Sequence, residues 1–156
     1  MAGKVRPIPE GYRSVTPYLV VNGAGKAIDF YKTVFGAREK FRMDGPGGKI
    51  AHAEIEIGDS VIMLADENPQ HGALSPATVG GTPVSIMLYV EDVDRVAETL
   101  TKAGAKTLRP VQDMFYGDRS GGFEDPFGHV WHVSTHVEDV TPEEIERRIK
   151  AMAQKR

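Results

Sequence analysis

The 156-residue sequence has no cysteine, which excludes disulfide frameworks, thiolate metal sites and cysteine nucleophiles. It also lacks any apolar run near the roughly 20 residues that a bilayer-spanning helix needs. The opening segment MAGKVRPIPEGYR has no apolar signal-peptide core. A cytoplasmic protein with no membrane partner is the expectation. Excess positive charge is missing too: 19 Lys and Arg against 22 Asp and Glu leave a formal charge of −3, and no electrostatic footprint for nucleic acid. Gly80-Gly81 and Gly121-Gly122 are too sparse for a nucleotide-binding fingerprint, and no Ser-His-Asp arrangement stands out. What remains is 40% hydrophobic and 26% charged, an ordinary globular composition, in a length that suits one domain or two small fused modules.

The chain is organised around residues 122–136, GFEDPFGHVWHVSTH. Asp125-Pro126-Phe127-Gly128 has type I turn chemistry: an Asp able to bond its own backbone, a Pro of preset φ and a Gly free to take positive φ. In the strand that follows, Trp131 and Val133 share one face. Val130, His132 and Ser134 share the other, so an apolar face backs a face carrying imidazole and hydroxyl.

The remaining elements follow from periodicity and punctuation. Strands are expected over 15–21, 37–43, 50–57, 60–65, 84–90 and 105–110, with another around Phe123. A helix over 24–35 buries Ala27, Phe30, Tyr31 and Val34 and stops at Gly36. Asp92 caps a second helix whose stripe is Val93, Val96, Ala97, Leu100 and Ala103. QDMFYGDRSG reads as a loop, and 66–83 as a long Pro/Gly-rich connection. Thr141-Pro142-Glu143-Glu144 is a capping box opening a helix to about Gln154, with Ile145, Ile149 and Met152 on one side. That helix is expected to cover a sheet edge or a dimer seam.

VTPYLVVNGAGKAIDFYKTVFGA and VSIMLYVEDVDRVAETLTKAGA repeat one pattern of strand, turn, striped helix and Gly-Ala, and three strands follow each. The fold class is therefore α+β, two tandem βαβββ modules with a C-terminal helix. The divisions are an arm over 1–13, modules over 14–65 and 84–136 joined by 66–83, and the helical tail 137–156. Helices cover the outer sheet faces, and the inner faces must curl around something.

AIDFYKTVFGA in the first module and DPFGHVWHV in the second resemble the vicinal oxygen chelate superfamily, which holds glyoxalase I, fosfomycin and bleomycin resistance proteins and extradiol dioxygenases. PYLVVNGAGKAIDFY, HAEIEIGDSVIMLAD, YGDRSG and DPFGHVWHVSTHVEDVTPEE resemble its PhnB-like subgroup, some of whose members carry a ubiquinone-methyltransferase label. The resemblance covers 14–145. It implies the glyoxalase/bleomycin resistance/dihydroxybiphenyl dioxygenase fold, a curved mixed sheet around a U-shaped cavity, and usually a homodimer. It also implies metal ligands, commonly His, Glu, His and Glu, on the first and fourth strands of each module. Counted back from Val21 and Val90, the two His positions fall here at Thr16 and Ser85, and the fourth-strand Glu positions fall at Met63 and His132; only His132 is a good ligand for a divalent cation. A one-residue slip would offer Val15 or Pro17, Ile62 or Leu64, and Val84 or Ile86, none a ligand.

The expectation is thus a pocket that binds a small organic molecule with no cofactor, a divalent metal being the disfavoured alternative. Its candidate wall is Thr16, Tyr18, His52, Glu54, Met63, Ser85, Met87, Tyr89, Tyr116, Arg119 and His132. His132 is either a pocket acid/base or a histidine satisfied beside Ser134. His52 and Glu54, at i and i+2 on one strand face, are a polar wall or cross-strand pair, or part of an unorthodox metal site with His132. Met63 and Met87 are core or a soft pocket wall. Tyr18, Tyr89 and Tyr116 suit stacking on a planar ligand, or are structural. Arg119 clamps an anion or pairs with Asp118. The open functional classes are a binding or sequestering protein or an enzyme of unassigned reaction with a metal-free pocket, an antibiotic-sequestering resistance protein, and a metal-dependent lyase or dioxygenase.

Overall fold

The computed structural model describes residues 5–155, and the chain divides into two compact units, Met1–Thr82 and Pro83–Arg156. The expected N-terminal arm over 1–13 is described only from Val5 onward; its first four residues lie outside the described residues.

In the first unit β1 (Tyr18–Val21), α1 (Ala24–Phe35), β2 (Arg38–Asp44), β3 (Ile50–Ile57) and β4 (Ser60–Asp66) form a sheet of order β1-β4-β3-β2. β1 runs parallel to β4 and the other pairs are antiparallel. The crossover helix α1 lies on one face and buries Ala24, Ala27, Ile28, Phe30, Tyr31 and Val34. Against it the strands bury Leu19, Val21, Ala53, Ile55, Ile57, Ile62 and Leu64. Removing each larger aliphatic side chain from water contributes roughly 2 kcal/mol before the entropy of ordering is counted.

Strand alternation fixes the other face. Tyr18, Met63, Glu54 and His52 stand there, because Tyr18 pairs with Met63, Glu54 with Met63 and Met43 with His52. The first strand is shorter than its apolar run suggests. Pro17 has no N–H to give the ladder, so pairing starts at Tyr18, and Pro17 only accepts, from Met63 N–H at 2.9 Å. Thr16 consequently lies outside β1.

Helix α1 begins at Gly23, which has no side chain to cap it. Asp66, at the end of β4, does this instead: Oδ1 accepts from the N–H groups of Gly23 and Ala24 at 2.8 and 2.9 Å, and Oδ2 from Ile50 N–H at 2.8 Å. One carboxylate thus holds the helix start, β3 and β4 together, and its charge faces the positive end of the helix. The long connection is not structureless. It holds a 3₁₀ turn, Pro69–His71, and one helical turn, α2 (Pro76–Val79), capped by Ser75.

The second unit repeats the order. β5 (Ser85–Tyr89), α3 (Val93–Lys102), β6 (Lys106–Asp113), β7 (Asp118–Glu124) and β8 (Val130–His136) make a sheet β5-β8-β7-β6, followed by α4 (Pro142–Ala153). The turn before β8 is tied by Asp125, whose Oδ1 accepts from the N–H groups of Phe127 and His129 at 2.9 and 3.0 Å. Its Oδ2 takes the indole N–H of Trp131 at 2.9 Å. This places the indole, 1% exposed, in the core. Asp92 caps α3 as its position implies, and Thr141 caps α4.

The QDMFYGDRSG segment is mostly strand: β6 runs to Asp113 and β7 starts at Asp118, leaving a four-residue hairpin loop. Gly117 in that loop has φ +101°, and a Cβ there would collide with the Glu138 carbonyl oxygen and come 2.9 Å from Val140 Cγ2. The close approach is used, since Gly117 O accepts from both Val137 and Glu138 N–H at 3.0 Å. Arg148 of α4 bonds Phe115 O at 3.0 Å, and its ion pair with Glu138 locks the same corner. Gly117→Ala is therefore expected to lose more than about 2 kcal/mol of unfolding free energy in urea, whereas Gly81→Ala, with no neighbour in reach, loses less.

Candidate functional site

On the face of the first sheet opposite α1, four side chains form a continuous hydrogen-bonded row. Tyr12 Oη bonds Glu54 Oε2, Glu54 Oε1 lies 3.1 Å from His52 Nε2, and His52 Nδ1 lies 2.8 Å from Tyr18 Oη. Tyr12 arrives from the segment before β1 through a turn closed by its N–H to Pro9 O, with Gly11 at φ +82°. Lys40 Nζ sits 4.5 Å over the Tyr12 ring. Phe41 and Met43 stand on the same face beside His52, and with Tyr18 they are about half exposed. Burial pulls the Glu54 carboxyl upward, but hydrogen bonds from Tyr12 and His52 outweigh it and hold the group below its ordinary value. Burial and the nearby Glu54 charge push the Tyr18 phenol upward.

The second sheet carries a different set. Tyr89 Oη donates to Asp118 Oδ2 at 2.8 Å, and the buried Asp118 also meets His136 Nδ1 at 2.8 Å. Asp139 takes the other His136 nitrogen at 2.9 Å. Deeper in the face, Ser134 Oγ lies 2.8 Å from Ser120 Oγ and 3.4 Å from Met87 Sδ, and Arg109 Nη2 donates to Ser120 Oγ at 3.1 Å. His132 pairs in register with Met87 and Gly122. Its Nδ1 is buried with no hydrogen-bond partner among the described residues, and a Cβ on Gly122 would come within 3.3 Å of it.

The candidate wall thus sorts by sheet. Tyr18, His52, Glu54 and Met63 stand together on the first sheet. Met87, Tyr89 and His132 stand on the second, with Ser85 beginning its strand and Tyr116 in the hairpin loop next to Phe115. Thr16 precedes β1 and its hydroxyl turns to Arg13 O at 3.5 Å. Arg119 does not pair with Asp118, because neighbours on a strand point to opposite faces. Its guanidinium binds Asp94 of α3 through Nε at 2.7 Å and Nη2 at 2.8 Å, and Asp113 through Nη1 at 3.1 Å.

Tyr12, Phe41, Met43, Arg109 and His136 escape the sequence reading. Only Tyr12 leaves a local trace, the Pro-Glu-Gly-Tyr turn with glycine at its third position. The others join the face through cross-strand register, which no local pattern displays.

A metal centre of the kind the resemblance implies does not fit these donors. Met63 offers a soft thioether, Thr16 a hydroxyl outside the strand, and His52 and Glu54 bond each other. Among the described residues no three His, Asp or Glu side chains are placed to hold a metal ion.

The two carboxylates beside His136, Asp139 first and then Asp118, raise its pKa above the ordinary 6.5. Their pairing stabilises the fold below that value and fades as pH rises through the higher folded value. A proton NMR titration is expected to place the His136 midpoint above 6.5, and Asp139→Asn is expected to lower it.

With this geometry in hand, the chain finds clear relatives. The glyoxalase family model matches residues 13–133. An uncharacterised protein of Mycobacterium bovis is 41% identical over 136 residues, 85% of this chain and 90% of its own. A lactoylglutathione lyase of Neisseria meningitidis is 27% identical over 112 residues, 71% of this chain and 81% of that one. The crystal structure of TioX from Micromonospora sp. ML1 is similar with a TM-score of 0.64 at 27% identity, over 80% of this chain and 99% of that one. The matched span, carried by two sheets of the same strand order, makes this chain a member of the glyoxalase/bleomycin resistance protein/dioxygenase superfamily.

Proposed function

We propose that the protein binds a small organic ligand without a metal centre, on the sheet faces opposite the crossover helices, as a PhnB-like member of its superfamily. The observation that carries this reading is the side-chain chemistry in the strand positions where a cation would be gripped. Met63 lies beside Tyr18 in register and Met87 beside His132, so each pair offers polarisable and aromatic surface and at most one nitrogen ligand. Half-exposed Tyr18, Phe41, Met43, Met87 and Tyr89 add the apolar contact that such ligands need. We further propose a cytoplasmic homodimer.

One observation favours a second reading. Similarity to a lactoylglutathione lyase supports a metal-dependent lyase, with His132 as a ligand. Donor chemistry weighs against it, and fold kinship does not transfer activity.

Metal analysis of protein purified without chelator, run beside a thermal-shift screen of metabolites and antibiotics, separates the two. The expected result is substoichiometric metal, a Tm indifferent to EDTA, and stabilisation by at least one organic compound, about 2.7 kcal/mol at 100-fold its Kd. Stabilisation by antibiotics alone would narrow the function to drug sequestration. Stoichiometric Ni, Zn, Mn or Fe together with EDTA-sensitive turnover of methylglyoxal hemithioacetal would establish the lyase instead.

A further inference from the structure

The row Tyr12–Glu54–His52–Tyr18 has a direction. An ionised carboxylate only accepts hydrogen bonds, so Tyr12 Oη donates to Glu54 Oε2 and His52 Nε2 carries the proton that faces Oε1. In neutral imidazole the other nitrogen is then a bare acceptor. Tyr18 Oη, 2.8 Å away, fills it by turning its own proton inward. Every proton in the row is thereby committed along it. What reaches solvent, on a residue 49% exposed, is a phenol oxygen with only lone pairs to offer.

The surroundings favour a flat partner. The Tyr18 and His52 rings are tilted at 42° with centroids 5.5 Å apart, and the Phe41 ring lies 6.2 Å from His52 at 48°. Phe41 and Met43 expose apolar surface alongside. Lys40 sits over the Tyr12 ring, at the far end of the row from Tyr18. The upward push on the Tyr18 phenol agrees with an oxygen that keeps its proton.

We propose that the half-exposed Tyr18, Phe41 and Met43 on the face of the first sheet opposite α1 select planar aromatic or heteroaromatic compounds bearing an O–H or N–H donor, which the compounds give to Tyr18 Oη while the ring packs on Phe41 and Met43. This rests on the reading of that face as a ligand wall and adds its polarity: donors are chosen over ring-matched acceptors. Glu54 and His52 are positioning residues. They touch no ligand and act by fixing where the Tyr18 proton points.

NMR titration of the full chain at pH 8, where ordinary histidine is neutral, tests this with three probes: indole, a planar donor; 1-methylindole, the same ring without the donor; and acetophenone, a planar acceptor. Shifts are followed at the Tyr18, Phe41 and Met43 side chains. Indole is expected to bind about fivefold more tightly than 1-methylindole, the worth of one net hydrogen bond. Tyr18→Phe, which keeps the ring, is expected to abolish that preference. His52→Phe keeps the aromatic neighbour but frees the Tyr18 proton, and is expected to shift the order toward acetophenone, a change that a merely structural histidine would not cause.

Equal affinity for indole and 1-methylindole in the unmodified protein, or a preference that survives Tyr18→Phe, would overturn the assigned polarity and leave the ligand wall standing. A His52→Phe variant that binds in the unmodified order would overturn the positioning role. Failure of all three probes to shift these residues would overturn the wall together with its polarity.

Discussion

The hydrogen bond between Glu54 and His52 is the interaction on which the proposed chemistry of the first sheet depends. It links two residues on one strand face, at the i, i+2 spacing that alternation provides, and converts a fixed negative charge into a choice of tautomer. The carboxyl is only 12% exposed and holds a second donor in Tyr12, so the interaction is screened less than a surface pair would be. Through the imidazole the charge reaches Tyr18, the residue on this row most open to solvent. Without Glu54 the same tyrosine would be an ordinary amphipathic ring, free to donate or accept.

That row is available because the helices take the other face. In each unit one crossover helix packs on the apolar half of the strand alternation; on the opposite face of the first sheet Tyr18, Phe41 and Met43 stay about half exposed, while on the second Asp118, Ser120 and Ser134 are buried. The two units secure this arrangement with different carboxylates. Asp66 joins the start of α1 to β3 and β4, and Asp125 folds a turn and anchors the Trp131 indole. Each carboxylate holds several N–H donors at once. Gly117 and Arg148 hold the hairpin and the C-terminal helix to the second sheet in a similar way, with backbone contact too close for any side chain.

Much of this architecture was legible in the sequence, and the limits have physical causes. Helix α1 runs from Ala24 to Phe35 as its periodicity and Gly36 imply, and β3 spans Ile50–Ile57 with its burial alternating from His52 onward. β1 starts late because Pro17 cannot donate, a local signal that its apolar neighbours mask. The loop before β7 is short because Gly121 and Gly122 sit inside a strand, where Gly122 makes room for His132. The site was partly legible. Tyr18, His52 and Glu54 share a face by parity alone, but Tyr12 reaches Glu54 across 42 residues of sequence, and no pattern within a strand reports that. Arg119 finds Asp94 instead of Asp118 because its face is the helix's face, a matter of strand parity that the loop assignment had hidden.

Family membership brings the fold, and the proposed chemistry is what this chain's side chains add to it. The central claim, that Glu54 dictates the His52 tautomer and hence the polarity Tyr18 presents, can be read directly from a long-range proton–nitrogen NMR spectrum of the His52 ring at pH 8. The expected spectrum shows a protonated Nε2 and a bare, hydrogen-bond-accepting Nδ1. A spectrum with the proton on Nδ1, or with the two forms freely exchanging, would contradict it.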